Sequence, residues 1–297
     1  MTTILAVDGR AYLERNKELV DQLLDRYTPS AIEEPRTLHE AMRYSLMAGG
    51  KRIRPILCLA AYQHCEGIHG GDIPEPVKCA MASLEMVHTY SLIHDDLPCM
   101  DDDDLRRGIP TCHKKFGEAT AVLAGDALHV VAFELMARTG SLTAVTELAE
   151  AVGTTGMLGG QVADLEAEGK SSISKAEVTN IHIRKTGALI RGSVRIGAIL
   201  ANVQHDELKQ LTLYGERIGL AFQIVDDVLD IEGDQKLLGK KVGSDSRNQK
   251  ATYPAAVGIE TARNEAARLI DDALALFKTE DDNMLKYLAR YIGQREK

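Results

Sequence analysis

Two clusters of carboxylates are the residues in this chain best suited to chemistry. Six of the ten positions from 95 to 104 are aspartate (Asp95, Asp96 and Asp101 to Asp104), and Arg106 and Arg107 follow directly. Like charge at that density does not hold together without counter-ions. An apolar helical pattern runs into this cluster, and residues seven apart on an α-helix return to nearly the same face, so His88 and Asp95 share a stripe. Pro98 lacks an amide hydrogen and disfavours helix at Leu97. The spacing therefore predicts that the helix ends or kinks between Asp96 and Asp101, and that Asp101 turns back toward Asp95. The second cluster, Phe222 to Ile231, sets Gln223, Asp226, Asp227 and Asp230 on a polar stripe at helical spacing, with Ile224, Val228 and Ile231 on an apolar one. A helix this apolar is expected to be largely buried, where like charges must be paired or metal-bound. Oxygen donors without a Cys/His pattern favour Mg²⁺, or Mn²⁺, and Mg²⁺ is typically held by one or two carboxylates plus substrate phosphates. Either cluster alone reads as an acidic surface. Together they predict two helices facing a cavity that holds a polyanion through metal ions, an arrangement suited to diphosphate chemistry.

The basic residues offer a second anion site that needs no metal. Gly49-Gly50-Lys51-Arg52-Ile53-Arg54-Pro55 places three cations after a glycine pair and ahead of a helix that Pro55 can begin. Backbone amides at that helix start, with Lys51 and Arg54, suit a phosphate. Arg106 and Arg107 either neutralise the preceding aspartates or clamp a diphosphate. Lys185-Thr186-Gly187 interrupts a helical segment with an ammonium, a hydroxyl and a flexible backbone. Lys240 and Lys250 lie in a Gly-, Lys- and Ser-rich stretch from 233 to 252 that reads as a solvated loop or as a lid over a phosphate.

The elements that must position these groups are helical. Ala, Leu, Glu, Lys and Met are abundant, alternating β-branched runs are rare, and helices are expected at about 8–28, 37–47, 54–65, 75–96, 117–138, 142–164, 174–202, 205–232, 253–278 and 281–294. The 297 residues show no composition shift that would mark a boundary, which predicts one domain over 1–297. A net charge of −9 disfavours a nucleic-acid partner. No stretch reads as a membrane span, and the first residues do not read as a signal peptide. Five cysteines without a Cys-x-x-Cys pair read as free thiols in a reducing cytoplasm.

Taken in order, Gly-Gly-Lys-Arg-Ile-Arg-Pro, Asp95-Asp96-Leu-Pro-Cys-Met-Asp101, Lys185-Thr186-Gly187, Phe222-Gln223 and Asp226-Asp227-Val-Leu-Asp230 resemble the motifs of the short-chain prenyl diphosphate synthases over nearly the whole chain. The four residues between the aspartate pair and Asp101, with Tyr90, are most similar to those of the bacterial type of farnesyl diphosphate synthase. The resemblance implies an all-α, single-domain isoprenoid-synthase bundle of about ten or more helices around a central cavity, and a cytoplasmic homodimer. It implies an isopentenyl diphosphate site at Lys51, Arg54, His88 and Arg107. It implies magnesium ligands at Asp95, Asp101 and Asp226, with Asp96, Asp227 and Asp230 in support. Contacts to the allylic diphosphate would come from Arg106, Lys185, Thr186, Gln223 and Lys240, with Lys250 a further cation, and Gln161 and Asp164 would line the site. The sequence departs from the family at Gln249, where Gly is common, which bears on the loop and not on the chemistry.

The implied reaction ionises an allylic diphosphate (dimethylallyl, then geranyl), adds isopentenyl diphosphate head to tail, and loses a proton, giving farnesyl diphosphate. Tyr90, five residues before Asp95, is the residue expected to stop elongation by closing the tail cavity; the competing reading is an ordinary core tyrosine. A geranylgeranyl diphosphate synthase would share every motif except a bulky residue at position 90. A terpene cyclase would lack the Lys51 to Arg54 site, and a regulatory subunit would have lost one aspartate motif.

Overall fold

The computed structural model describes residues 8–68, 70–170, 172–232, 252–278 and 283–295. Asp8 caps the first helix, α1 (Gly9–Tyr27), its carboxylate accepting from the amides of Arg10 and Ala11. Then follow α2 (Arg36–Leu46), α3 (Ile53–Glu66), with Pro55 in its first turn as expected, and α4 (Glu75–Asp95). α4 has buried residues on every face and packs against α1, α2 and α3, so it is the central rod of the bundle. A short antiparallel hairpin comes next, β1 (Leu105–Arg106) pairing with β2 (Ile109–Pro110). Its two loop residues, Arg107 and Gly108, both have positive φ, 55° and 81°, the conformation that matches strand twist in two-residue hairpins.

Beyond the hairpin run α5 (Cys112–Phe116), α6 (Glu118–Arg138), α7 (Leu142–Val152), α8 (Met157–Ala167) and α9 (Lys175–His182), then a π-helical turn at Ile183–Gly187 and α10 (Ala188–Leu200). The last elements are α11 (His205–Glu232), α12 (Tyr253–Val257), α13 (Ile259–Leu274) and α14 (Met284–Gly293). α6 lies along α4, α10 packs between α3 and α11, and α11 also contacts α13, α14 and the π turn. The fold is thus an all-α bundle, and one hydrophobic cluster runs from Tyr12 in α1 to Ile292 in α14.

Five sequence expectations differ from this structure. The segment 142–164 is two helices, because Gly153 and Gly156 flank Thr154 and Thr155 and all four are weak helix formers. The segment 174–202 is broken by the π turn, and 253–278 by Gly258 at φ 83°. The hairpin and α5 occupy ground where no element was expected, since Arg-Gly is not a strong turn signal. Finally, α6 is long and apolar enough by composition to cross a membrane, its valine, leucine and alanine content outweighing its few charges. Its inner face nevertheless packs on α4 and α2.

Candidate active site

α4 ends at Asp95, and the chain folds back at once: the amide of Asp101 donates to the carbonyl of Asp95 at 2.8 Å, and that of Asp102 to Leu97 at 3.1 Å. Pro98 sits in this turn. Asp95 and Asp101 are half-buried, whereas Asp96 turns into the protein and is 3% exposed. There it accepts from Nε of Arg106 at 2.8 Å. Burial pushes the Asp96 carboxyl up, and Arg106 opposes that shift. Asp96 therefore holds Arg106 in the hairpin and is committed to that pair.

The glycine turn sorts its three cations. Arg52, in the left-handed region at φ 54°, points inward to Glu85 at 2.7 Å, Asp21 at 2.8 Å and the Leu46 carbonyl at 2.7 Å. It is a structural residue in a buried ion-pair network. Lys51 and Arg54 flank it on the other side. Arg54 Nε is closed off from solvent with no hydrogen-bond partner among the described residues. Burial pushes this guanidinium down to about 10, with Arg107 and Arg295 adding to the fall and Glu85 and Asp226 opposing it. Loss of solvent lowers Lys51 as well, Arg295 helping and Asp226 opposing. Arg107, at the hairpin tip, donates to the Gly49 carbonyl, and burial lowers it too. His88 sits among these groups. Burial, then Arg54, Arg107, Arg106 and Arg52, hold its pKa well below the usual imidazole range, so it is neutral at pH 7. Cations that depress one another around a buried N–H form a positive cluster suited to an anion.

On α11, Asp226 pairs with Nη2 of Arg295 at 3.0 Å, while that guanidinium also stacks on Phe222 at 3.7 Å. Asp227 lies deeper, 3% exposed, with both carboxylate oxygens engaged: one by His182 Nε2 at 2.8 Å and the Tyr253 amide at 2.7 Å, the other by Gln223 Nε2 at 3.0 Å. Asp230 is buried at 3% exposure. The π turn supplies Lys185 and Thr186. Thr186 donates to Gln223 Oε1 at 2.7 Å, and Lys185 donates to Asp164 on α8 at 2.6 Å. Gly160, one turn before Asp164, lets α8 approach so closely that any Cβ there would overlap the Lys185 backbone.

The structure brings together Lys51, Arg54, His88, Arg106, Arg107 and the first aspartate motif, with Asp226 coupled electrostatically to Lys51 and Arg54. Lys185, Thr186, Gln223, Asp164 and Asp227 form an adjoining hydrogen-bonded set. Lys240, Lys250 and Gln249 lie outside the described residues. Arg295, His182 and Glu85 escaped the sequence reading: Arg295 stands far from every motif, and nothing in its neighbourhood marks it as a partner of Asp226. Among the described residues no three His, Cys, Asp or Glu side chains are clustered as a preformed metal cage.

Comparison with known proteins fits this geometry. The polyprenyl synthetase family model matches residues 35–292. Farnesyl diphosphate synthase of Escherichia coli is 45% identical, over 98% of this chain and 100% of that protein. The chloroplastic geranylgeranyl pyrophosphate synthase of Capsicum annuum is 47% identical, over 89% of this chain and 73% of that protein. The crystal structure of a Helicobacter pylori geranyltransferase complexed with magnesium and isoprenyl diphosphate is 29% identical, covers 97% of each chain and superposes with a TM-score of 0.78. With a family match across most of its length and an all-helical bundle of the same kind, this chain belongs to the polyprenyl synthetase family and is a prenyltransferase.

Proposed function

We propose that this chain, as a single domain over 1–297, condenses isopentenyl diphosphate with dimethylallyl and then geranyl diphosphate and releases farnesyl diphosphate. The observation that carries this reading is the anion site at Lys51, Arg54, Arg107 and neutral His88, a cluster beside the aspartates that needs no metal. Two anion sites suit an enzyme that holds two diphosphates at once; a cyclase needs one.

Asp95, Asp101 and Asp226 offer oxygen donors only, and the backbone hydrogen bond from Asp101 to Asp95 brings two of these residues close in the chain fold, which fits Mg²⁺, or Mn²⁺. Asp230 supports them, while Asp96 and Asp227 act through Arg106 and through His182, Gln223 and Tyr253. Mg²⁺ held there would supply Lewis-acid stabilisation of the charge on the departing diphosphate. The chain's own residues do the rest. Arg106, Thr186 and Gln223 orient the allylic diphosphate, and Lys185 exchanges Asp164 for it. As the C–O bond breaks, the charges of Arg106 and Lys185 and the donors of Thr186 and Gln223 stabilise the growing negative charge. Lys51, Arg54 and Arg107 hold isopentenyl diphosphate with its double bond facing the allylic carbon, and His88 contributes an uncharged hydrogen bond. The new C–C bond forms at the cation, and a proton leaves to the released diphosphate. Apolar helices keep water from the cation.

Tyr90 closes the tail cavity. It is 3% exposed, yet its hydroxyl has no hydrogen-bond partner among the described residues. An ordinary core tyrosine normally satisfies that group. The apolar outer stripe of α6, with Val122 40%, Leu123 58% and Val130 69% exposed, suits a second copy of the chain and supports a homodimer. All five cysteines are free, in keeping with the cytoplasm.

Mass spectrometry of products from isopentenyl and dimethylallyl diphosphates, with Mg²⁺ and with EDTA, tests the reading. A metal-dependent C15 diphosphate is expected, and Tyr90→Ala should lengthen it. A C20 product from the parent would keep the condensation and remove Tyr90 as the floor. No condensation would leave a regulatory subunit.

A further inference from the structure

We propose that His129 is a chain-length determinant that acts by fixing the ring of Tyr90; this deepens the elongation reading above and rests on it. Four aromatic rings from α4 and α6 form a ladder. Tyr90 lies flat against His129, centroids 4.4 Å apart and planes 16° apart. His94, one turn along α4, meets Tyr90 edge-on at 5.8 Å and 76°. Phe133, one turn along α6, meets His129 edge-on at 5.2 Å and 66°.

The ladder is built into the helix contact. His94 reaches from α4 onto α6 only because position 125 is glycine, where a Cβ would overlap the imidazole. From there His94 Nε2 lies 3.1 Å from the Val122 carbonyl of α6. The two helices are thus pinned beside the pair that the tyrosine needs.

A tyrosine at the end of a tail cavity stops elongation only if its ring cannot swing away. Each growing chain adds a flexible five-carbon unit that presses on whatever closes the cavity, and a ring with two free torsions would turn aside. Stacking on His129 removes that freedom from one face and the His94 edge limits it from another. Burial lowers the His129 pKa, Asp126 opposing and His94 adding to the fall, so the imidazole is present in its neutral, stacking form. His129 touches no reacting group in this scheme. It is a positioning residue, and its signature is product length, not rate.

The experiment compares parent, His129→Ala, His129→Phe, Tyr90→Ala and the Tyr90→Ala/His129→Ala double variant, each given isopentenyl and geranyl diphosphates with Mg²⁺. The readout is the ratio of the next-longer product to the parent's main product. That ratio is independent of how much enzyme is folded, and a parent whose main product is C20 would remove Tyr90 as the floor and this proposal with it. His129→Ala should raise it about 2- to 10-fold, the range expected for loss of one aromatic pair. His129→Phe, which keeps a ring to stack on, should leave it at the parent value, and the double variant should match Tyr90→Ala. An unchanged ratio in His129→Ala beside a raised ratio in Tyr90→Ala would overturn the role of His129. A double variant well above Tyr90→Ala would overturn the claim that His129 works through the tyrosine. A parent that makes no product at all would sink the elongation reading itself, a separate failure.

Discussion

Replacing Arg54 by methionine should stabilise the protein and, on the proposed assignment, weaken its hold on isopentenyl diphosphate. Its guanidinium is held with Nε unpartnered, and its pKa falls from 12.5 to about 10. A fall of that size corresponds to a penalty of up to about 3 kcal/mol on keeping the charge in the folded chain. The folded-state pKa of this cation is depressed, so the penalty is fully present at neutral pH, where both folded and unfolded chains carry the charge. It fades only as pH rises above about 10. Methionine fills similar space without charge, so denaturant titration at pH 7 should show a gain of about 1–3 kcal/mol. Binding moves the other way. A charge-assisted contact to a phosphate is worth about 1.5–3 kcal/mol, so KM for isopentenyl diphosphate should rise on the order of 10- to 100-fold while KM for geranyl diphosphate stays near the parent value. Arg54→Lys keeps the charge but loses the planar fork and should fall between. Equal rises in both KM values would refute the assignment of Arg54 to the metal-free site. A less stable Arg54→Met protein would refute the electrostatic argument.

The neutral state of His88 predicts a pH dependence. Its folded pKa lies well below the ordinary 6.5, so below that pH the unfolded chain binds a proton the folded chain refuses, and stability falls as pH drops. His88→Gln should remove up to about 1.4 kcal/mol per pH unit of that loss, measured by denaturation between pH 6.5 and 5. Tyr90→Phe deletes an unsatisfied hydroxyl and keeps the ring, so calorimetry should show a gain of about 1–3 kcal/mol with product length unchanged. Asp227→Ala leaves His182, Gln223 and the Tyr253 amide without their shared acceptor, and thermal unfolding should reveal a loss of about 2–4 kcal/mol. If Asp227→Ala instead leaves stability unchanged while turnover collapses, the residue acts at the metal and not as a brace.

The two aspartate motifs, the glycine turn and the helical framework could be read from spacing because each has a local cause: a proline after the carboxylates, apolar periodicity, cations beside glycines. The sorting of those cations could not. Lys51, Arg52 and Arg54 look alike in sequence, and only the left-handed backbone at Arg52 sends that one toward Glu85 and Asp21. The division of labour within the aspartate pairs was equally hidden. Asp96 and Asp227 sit beside Asp95 and Asp226 in sequence, but rotation around the chain turns them inward to Arg106 and to His182. Arg295 was illegible because its partner, Asp226, lies a long way back along the chain. The π turn had a visible cause, since Lys-Thr-Gly already read as an interruption. The hairpin at 105–110 had none, because its loop begins with an arginine where asparagine or glycine would have announced it.

That arginine gives the hairpin an evolutionary asymmetry. A non-glycine residue in the left-handed region is strained by about 1–2 kcal/mol, and Arg107 accepts that strain at φ 55° while presenting its guanidinium to the Gly49 turn. Glycine or asparagine would relieve the backbone and abolish the side chain in one step. Under selection for thermal tolerance alone, position 107 should drift toward those two residues early. Under selection for turnover it should stay fixed, so the residues recovered at this single codon report which pressure a population has experienced.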